Sequence, residues 1–204
     1  MVKIISTAWL GLMLLVALPG AAWAGLEGEF KPLGAVPAAH SQQVVLFEEY
    51  LSFACSHCNN FREVSKPLKQ KYGKRLKLVN IPILPSGRND APLRLYFIAE
   101  KHGQGEAMKD MIFDAGFKNG VDVFDRSTAN YLARSAGLGE AFTKEYNAAW
   151  VNQKVAESTS KATAISLEVT PTVVLAGTIK VQPGEGGMNH YLENLDKLVG
   201  QLLK

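Results

Sequence analysis

The sequence predicts an α/β fold: a mixed central sheet with helices on both faces and a helical segment between the two halves of the sheet. Three observations predict it. Val44 to Tyr50 and Leu76 to Leu84 are apolar runs of strand length on either side of a helical stretch. Apolar residues then recur at helical spacing from Leu93 to Trp150. After Glu168 the pattern returns to period two, and a last helical face closes the chain. A strand–helix–strand unit closes as a right-handed parallel crossover. A final hairpin adds antiparallel strands, which makes the sheet mixed.

Residues 1–24 read as a secretory signal, cleaved before Gly25. Lys3 is the positive start, Ile4 to Leu18 is an uncharged apolar run, Pro19-Gly20 breaks any helix, and Ala22 and Ala24 supply the small residues of a cleavage site. The apolar run is shorter than the ~20 residues of a spanning helix. Export is therefore expected, to a compartment where a thiol pair can cycle or stay oxidised. Gly25 to Ser41, rich in Gly, Pro and Ala, reads as an irregular lead-in.

Val44 to Tyr50 is the first expected strand. The helix after it runs through Phe61, Val64 and Leu68, with Pro67 expected to kink it. Leu76 to Leu84 is the second strand, closed by Pro82 and Pro85. Pro92 sits at a first helical position ahead of Leu93, Tyr96 and Phe97. Met108, Met111, Ile112 and Ala115 form the apolar face of a second helix. Ser127 is the expected cap of a third, stopped by Gly137. Phe142, Tyr146, Ala149 and Trp150 line one longer helix. Thr172 to Ala176 and Thr178 to Gln182 make a hairpin turned at Gly177, and Tyr191, Leu195, Leu198 and Leu202 face the core from a closing helix.

Composition narrows the function. The chain has 204 residues, 47% hydrophobic and 20% charged, which is globular rather than disordered. It carries 22 basic against 19 acidic residues, too even a balance for a nucleic-acid surface. Six basic residues crowd Lys66 to Lys77 and read as a solvated helix end and strand entry. Two cysteines are too few for a disulfide scaffold.

The chemistry is expected at Cys55-Ser56-His57-Cys58. Two thiols three apart at the start of a helix can bridge across its first turn. Cys55 would meet unpaired backbone N–H groups and the positive end of the helix dipole, which favour thiolate. His57 adds a cation or a donor. A thiolate attacks disulfides, and a low-pKa thiolate leaves well. The spacing therefore suits disulfide exchange, with Cys55 attacking and a more buried Cys58 resolving the mixed disulfide. Two other readings stand beside it. A structural bridge closing so small a loop restrains the unfolded chain little. A metal site would use Cys55, Cys58 and His57, but His40, His102 and His190 lack ligand spacing, and structural zinc takes four ligands.

Glu49 lies six residues before Cys55. Alternation puts Glu48 and Glu49 on opposite faces, so one can point into the core beneath the thiols, and Glu49 is the expected one, as a buried proton donor or acceptor. Pro171, between Thr170 and Thr172, stands at the start of a strand, where proline is tolerated.

The run Phe47-Glu48-Glu49-Tyr50-Leu51-Ser52-Phe53-Ala54-Cys55-Ser56-His57-Cys58 resembles the acidic–aromatic–Ser-Phe–Cys-x-His-Cys pattern of DsbA-type thiol:disulfide oxidoreductases. Tyr146-Asn147-Ala148-Ala149-Trp150 resembles a helix of that family's insertion. Val169-Thr170-Pro171-Thr172-Val173 resembles its cis-proline loop, which implies a cis bond before Pro171. The resemblance covers nearly all of residues 40–204. It implies a single thioredoxin-like domain over residues 25–204 with a helical insertion at about 88–163. It puts the family's buried acid at Glu49 and its thiolate-stabilising histidine at His57. Two positions depart from it. Ser56 stands where the best-known members have proline, and Thr170 where many have valine. Both tune redox potential and partner choice in the family.

The resemblance implies a periplasmic enzyme, a monomer, whose Cys55–Cys58 disulfide is its only redox group, with no metal or organic cofactor. Its partners would be unfolded or folding secreted proteins with cysteines and a DsbB-like membrane oxidase that re-oxidises it. No nucleic acid is expected. Two further readings go with it: a periplasmic reductase or isomerase, and a thioredoxin-fold chaperone or metallochaperone.

Overall fold

The computed structural model describes residues 25–204, so the signal segment read at residues 1–24 lies outside the described residues. A five-stranded mixed sheet forms the centre, with strand order β1-β5-β4-β2-β3. Its strands are β1 (Lys31–Pro32), β2 (Val45–Leu51), β3 (Leu76–Pro82), β4 (Thr172–Leu175) and β5 (Ile179–Val181). β2 pairs parallel with β3, whereas the β2–β4, β4–β5 and β1–β5 pairs are antiparallel. The α/β class with a mixed sheet is therefore correct.

Between β2 and β3 run α1 (Ser56–Val64), α2 (Lys66–Tyr72) and a 3₁₀ turn at Gly73–Arg75. Between β3 and β4 lie α3 (Ala91–Lys101), α4 (Gly105–Phe117), α5 (Arg126–Ser135), α6 (Gly139–Glu145) and α7 (Ala149–Ala164), and α8 (Gly187–Leu202) ends the fold.

The pleat of β2 decides what lies under the site. Val45 and Phe47 pack with Phe61 of α1 and with Leu195 and Leu198 of α8, while Leu51, further along the same face, packs with Cys58. Tyr50 points the other way, onto Ile165 and Val174. Period two thus sets Glu49 on the face that α1 covers. Full burial of a ring such as Phe61 contributes ~2–3 kcal/mol.

Four local details differ from the sequence reading. The lead-in holds β1, whose two residues are too few to show a period. Pro67 does not kink one helix but opens another: α1 stops at Val64, and Pro67 takes the first turn of α2, where no partner for an N–H is needed. The cap of α5 is Asp125, whose Oδ1 accepts the Ser127 N–H at 2.8 Å. The long helix expected through Phe142 and Trp150 is two helices, because Ala148 is extended with φ −64° and ψ 146°. Phe142 and Tyr146 before the break, their rings edge to face at 5.0 Å, and Trp150 beyond it still pack in the same core, so the apolar pattern ran on across the break.

Candidate active site at the start of the first helix

β2 delivers the chain to a tight turn. The Cys55 N–H bonds Ser52 O at 3.0 Å, and the Ala54 N–H reaches Ser52 Oγ at 3.3 Å. Phe53 anchors the turn, its ring 5.2 Å from that of Phe113. Cys55 is then the N-cap of α1, extended at φ −93° and ψ 114°, and its Sγ accepts the Cys58 N–H at 3.2 Å. A sulfur thus takes the place that a Ser or Asp oxygen takes in other helices. Cys55 is half-buried and Cys58 fully buried, while Ser56 and His57 are exposed.

The other wall comes from far along the chain. The Thr170–Pro171 peptide is cis, and Thr170 O lies 3.3 Å from Cys55 Sγ, accepting from the thiol when that is protonated. Thr172 Oγ1 donates to Val169 O at 2.7 Å, which ties the loop to the start of β4.

These contacts make the two thiols unlike. Hydrogen bonding from the Cys58 side chain lowers the Cys55 thiol most. Burial opposes it, and the Thr170 side chain and the backbone N–H groups of Cys58 and His57 add to the lowering, to about 5. The same Cys55–Cys58 hydrogen bond, with burial, pushes Cys58 far above the ordinary thiol range. Residue 57 acts on the sulfur through its backbone here. One thiol is thus set to be a thiolate at neutral pH and its neighbour to keep its proton, the asymmetry that attack followed by resolution uses.

Glu49 is 2% exposed. Its Oε2 lies 3.3 Å from Lys69 Nζ on α2 and 3.8 Å from Lys109 Nζ on α4. Glu48, on the opposite face, pairs with Lys161 of α7 at 3.0 Å. The acid under α1 is therefore Glu49. Tyr191 of α8 sits within its field: burial first, then Glu49, pushes the phenol well above its usual value, and Cys58 contributes in the same sense.

The basic run Lys66 to Lys77 is not wholly solvated, since Lys69 turns inward to Glu49. Two other residues were not singled out in the sequence. Arg62 of α1 is 5% exposed and bonds Asp114 at 2.6 Å and Asp110 at 3.2 Å, both on α4. Lys109 is buried in that same helix. Its signal was available: a lysine set among Met108, Met111 and Ile112 interrupts an apolar face. Among the described residues no group of three or more His, Cys, Asp or Glu side chains could hold a metal ion, and no helix is long and apolar enough to cross a membrane.

A cysteine pair capping a helix after a central strand, opposite a cis-proline loop, defines a dithiol protein of thioredoxin-like fold. The chain belongs to the DsbA-like thioredoxin domain family, whose model matches residues 86–197, and is by family a thiol:disulfide oxidoreductase. It is 25% identical to the thiol:disulfide interchange protein DsbA of Burkholderia cepacia over 190 residues, covering 90% of this chain and 88% of the relative. The DsbA of Azotobacter vinelandii is 24% identical over 168 residues, 81% of this chain and 78% of the relative. The crystal structure of Pseudomonas aeruginosa DsbA superposes with a TM-score of 0.69 at 21% identity, over 84% of this chain and 91% of that one.

Proposed function

We propose that this protein oxidises cysteine pairs in other exported proteins by passing its Cys55–Cys58 disulfide to them. The observation that carries the reading is the inequality of the two thiols, with Cys55 held near 5 and Cys58 far above the usual range. Whatever stabilises the reduced thiolate makes the disulfide easier to reduce, so the pair is a good oxidant.

In the exchange a substrate thiolate attacks Cys55 Sγ. The Cys55–Cys58 bond breaks, and Cys58 leaves and takes up a proton. A second substrate thiolate then attacks the substrate sulfur of the mixed disulfide and expels Cys55 as its stabilised thiolate. The substrate has lost two electrons and the Cys55–Cys58 pair has gained them. Thr170 and Pro171 form the wall facing Cys55, Ser56 and His57 form the exposed edge of the motif, and Glu49 gives and takes the proton that Cys58 needs. No metal or organic cofactor takes part.

The substrates are unfolded or folding secreted proteins with cysteines. The enzyme is a periplasmic monomer, exported by residues 1–24 and re-oxidised by a DsbB-like membrane oxidase. That the relatives are thiol:disulfide interchange proteins supports this class of partner.

The test is trapping. Cys58→Ala, which lacks the internal exit from the mixed disulfide, accumulates disulfide-linked adducts with exported proteins on non-reducing gels, whereas Cys55→Ala does not. Equal adducts in both variants, or none in Cys58→Ala, would overturn the reading.

A further inference from the structure

Behind the cysteines lies a buried charged cluster that spans two parts of the fold. Lys109 is 1% exposed on a helix whose neighbours Met108, Ile112 and Phe113 are core. Its ammonium lies 2.9 Å from Asn80 Oδ1, 3.0 Å from Glu106 Oε2 and 3.8 Å from Glu49 Oε2. Asn80 is the register partner of Glu49 across the parallel β2–β3 pair, so the two side chains flank the same point. Asn80 Nδ2 donates to Tyr96 Oη at 3.2 Å and to Glu106 Oε1.

An ammonium is not buried this way for packing, since a Met or Leu would fill the space without losing hydration. Burial disfavours its charge, but Glu49 and Glu106 more than restore it, so Lys109 stays ionised. Other charged or titratable groups face the cluster. Lys69 of α2 reaches Glu49 from a second side, Tyr191 of α8 lies in the field of Glu49, and Tyr96 donates to Glu100 within α3. Asp110 of α4 adds a weaker pull on Lys109 and is itself paired with Arg62. Lys109 is thus divided between a buried acid under the thiols and an acid at the surface, for the Glu106 side chain is 59% exposed.

We propose that Lys109 is a positioning residue of thiol exchange that acts through Glu49, and that Glu106 tempers it by sharing the same ammonium. This rests on the role of Glu49 given above. In re-oxidation by a disulfide such as oxidised glutathione, the Cys55 thiolate attacks and one glutathione thiolate leaves. The Cys58 thiol then passes its proton to the Glu49 carboxylate and attacks Cys55 Sγ. The Cys55–glutathione bond breaks, and a second glutathione thiolate departs. The pair has lost two electrons and glutathione disulfide has gained them. Lys109 sets how strongly the carboxylate holds its charge during that transfer, and removing a second anion from Lys109 leaves more of its charge for Glu49.

The experiment isolates the Cys55–glutathione mixed disulfide and follows its closure by mass spectrometry from pH 5 to pH 8. Lys109→Met lowers the ratio of the pH 5 rate to the pH 8 rate, moving the acid limb to higher pH, by about threefold or more. Lys109→Arg restores part of the ratio. Glu106→Gln moves the limb the opposite way. A folded Lys109→Met with an unchanged profile, or a Glu106→Gln that is unchanged or merely slower at every pH, overturns the proposal. Should Lys109→Met not fold, Glu106→Gln alone decides it. Glu49→Gln separates the two levels: slowed closure upholds the acid's role whatever Lys109 does, and closure at the natural rate removes the acid's role and the proposal together.

Discussion

Cys55 Sγ lies 3.2 Å from the backbone nitrogen of Cys58, so the sulfur we propose as the attacking one is also the cap of the helix that holds it. Reactivity and helix stability therefore rest on one atom. The thiolate is a better acceptor for that N–H than the thiol, and ionising Cys55 strengthens the start of α1.

The first prediction concerns alkylation. With the Cys55 thiol near 5 and Cys58 buried and raised, iodoacetamide labels Cys55 alone in the reduced protein. The rate stays high down to about pH 6 and falls through the folded pKa. Peptide mapping after short exposure checks the site. Comparable labelling of Cys58 counts against the assignment of roles.

The second concerns stability against pH. Cys55 has a folded pKa of about 5, below its unfolded value of ~8.5, so its contribution is fully present above ~8.5 and is lost as pH falls through 5. At pH 7 the shift corresponds to ~2.7 kcal/mol before screening. For a half-buried group about 1–2 kcal/mol is the reasonable size. The oxidised form has no such titration. Raising the pH from 4 to 7 therefore raises the Tm of the reduced protein relative to the oxidised one by a few degrees. Scans with and without reductant at both pH values measure it, and a gap that does not move with pH removes the stabilised thiolate.

Thr170→Val is the third. It keeps the carbonyl at 3.3 Å from Cys55 Sγ but removes the side-chain hydrogen bond that lowers that thiol. The alkylation profile of Cys55 shifts to higher pH and the protein becomes a weaker oxidant, ~30 mV for each tenfold loss in the equilibrium with glutathione. An unchanged midpoint in glutathione buffers shows that the backbone donors suffice.

The fourth concerns Arg62, which ties α1 to α4. Removing both Asp110 and Asp114 leaves a guanidinium that is 5% exposed with its main partners gone, whereas Arg62→Met leaves two half-exposed carboxylates that water can serve. The double alanine variant is expected to lose ~2–4 kcal/mol and Arg62→Met about 1–2, read from urea midpoints. The reverse order refutes the clamp.

The parts of the site that follow one another in the chain were the legible ones. A strand, a turn and a Cys-x-x-Cys helix start share one short stretch, and the pleat sets Glu48 and Glu49 on opposite faces, though packing decides which face α1 covers. The cis peptide was not legible from physics, because X–Pro bonds are mostly trans, and it came from the resemblance at Thr170-Pro171. The partners of Glu49 were harder. Lys69 looks like any lysine in a basic run, and Lys109 reaches the acid only through the packing of α4 against α1. The break between α6 and α7 was hidden because Phe142 and Tyr146 before it and Trp150 after it face one core while the backbone between the helices turns.

The contacts between Cys55 and Thr170, the side chain of which helps lower the thiol, span 115 positions along the chain, with seven α-helices in between. Loops that long close late and slowly, after local structure has formed. The acidity of Cys55 is thus acquired in stages: the helix start supplies one part early, and the rest arrives only when β4 docks beside β2. During refolding from denaturant, the reactivity of this one sulfur becomes a clock for the joining of the two ends of the sheet.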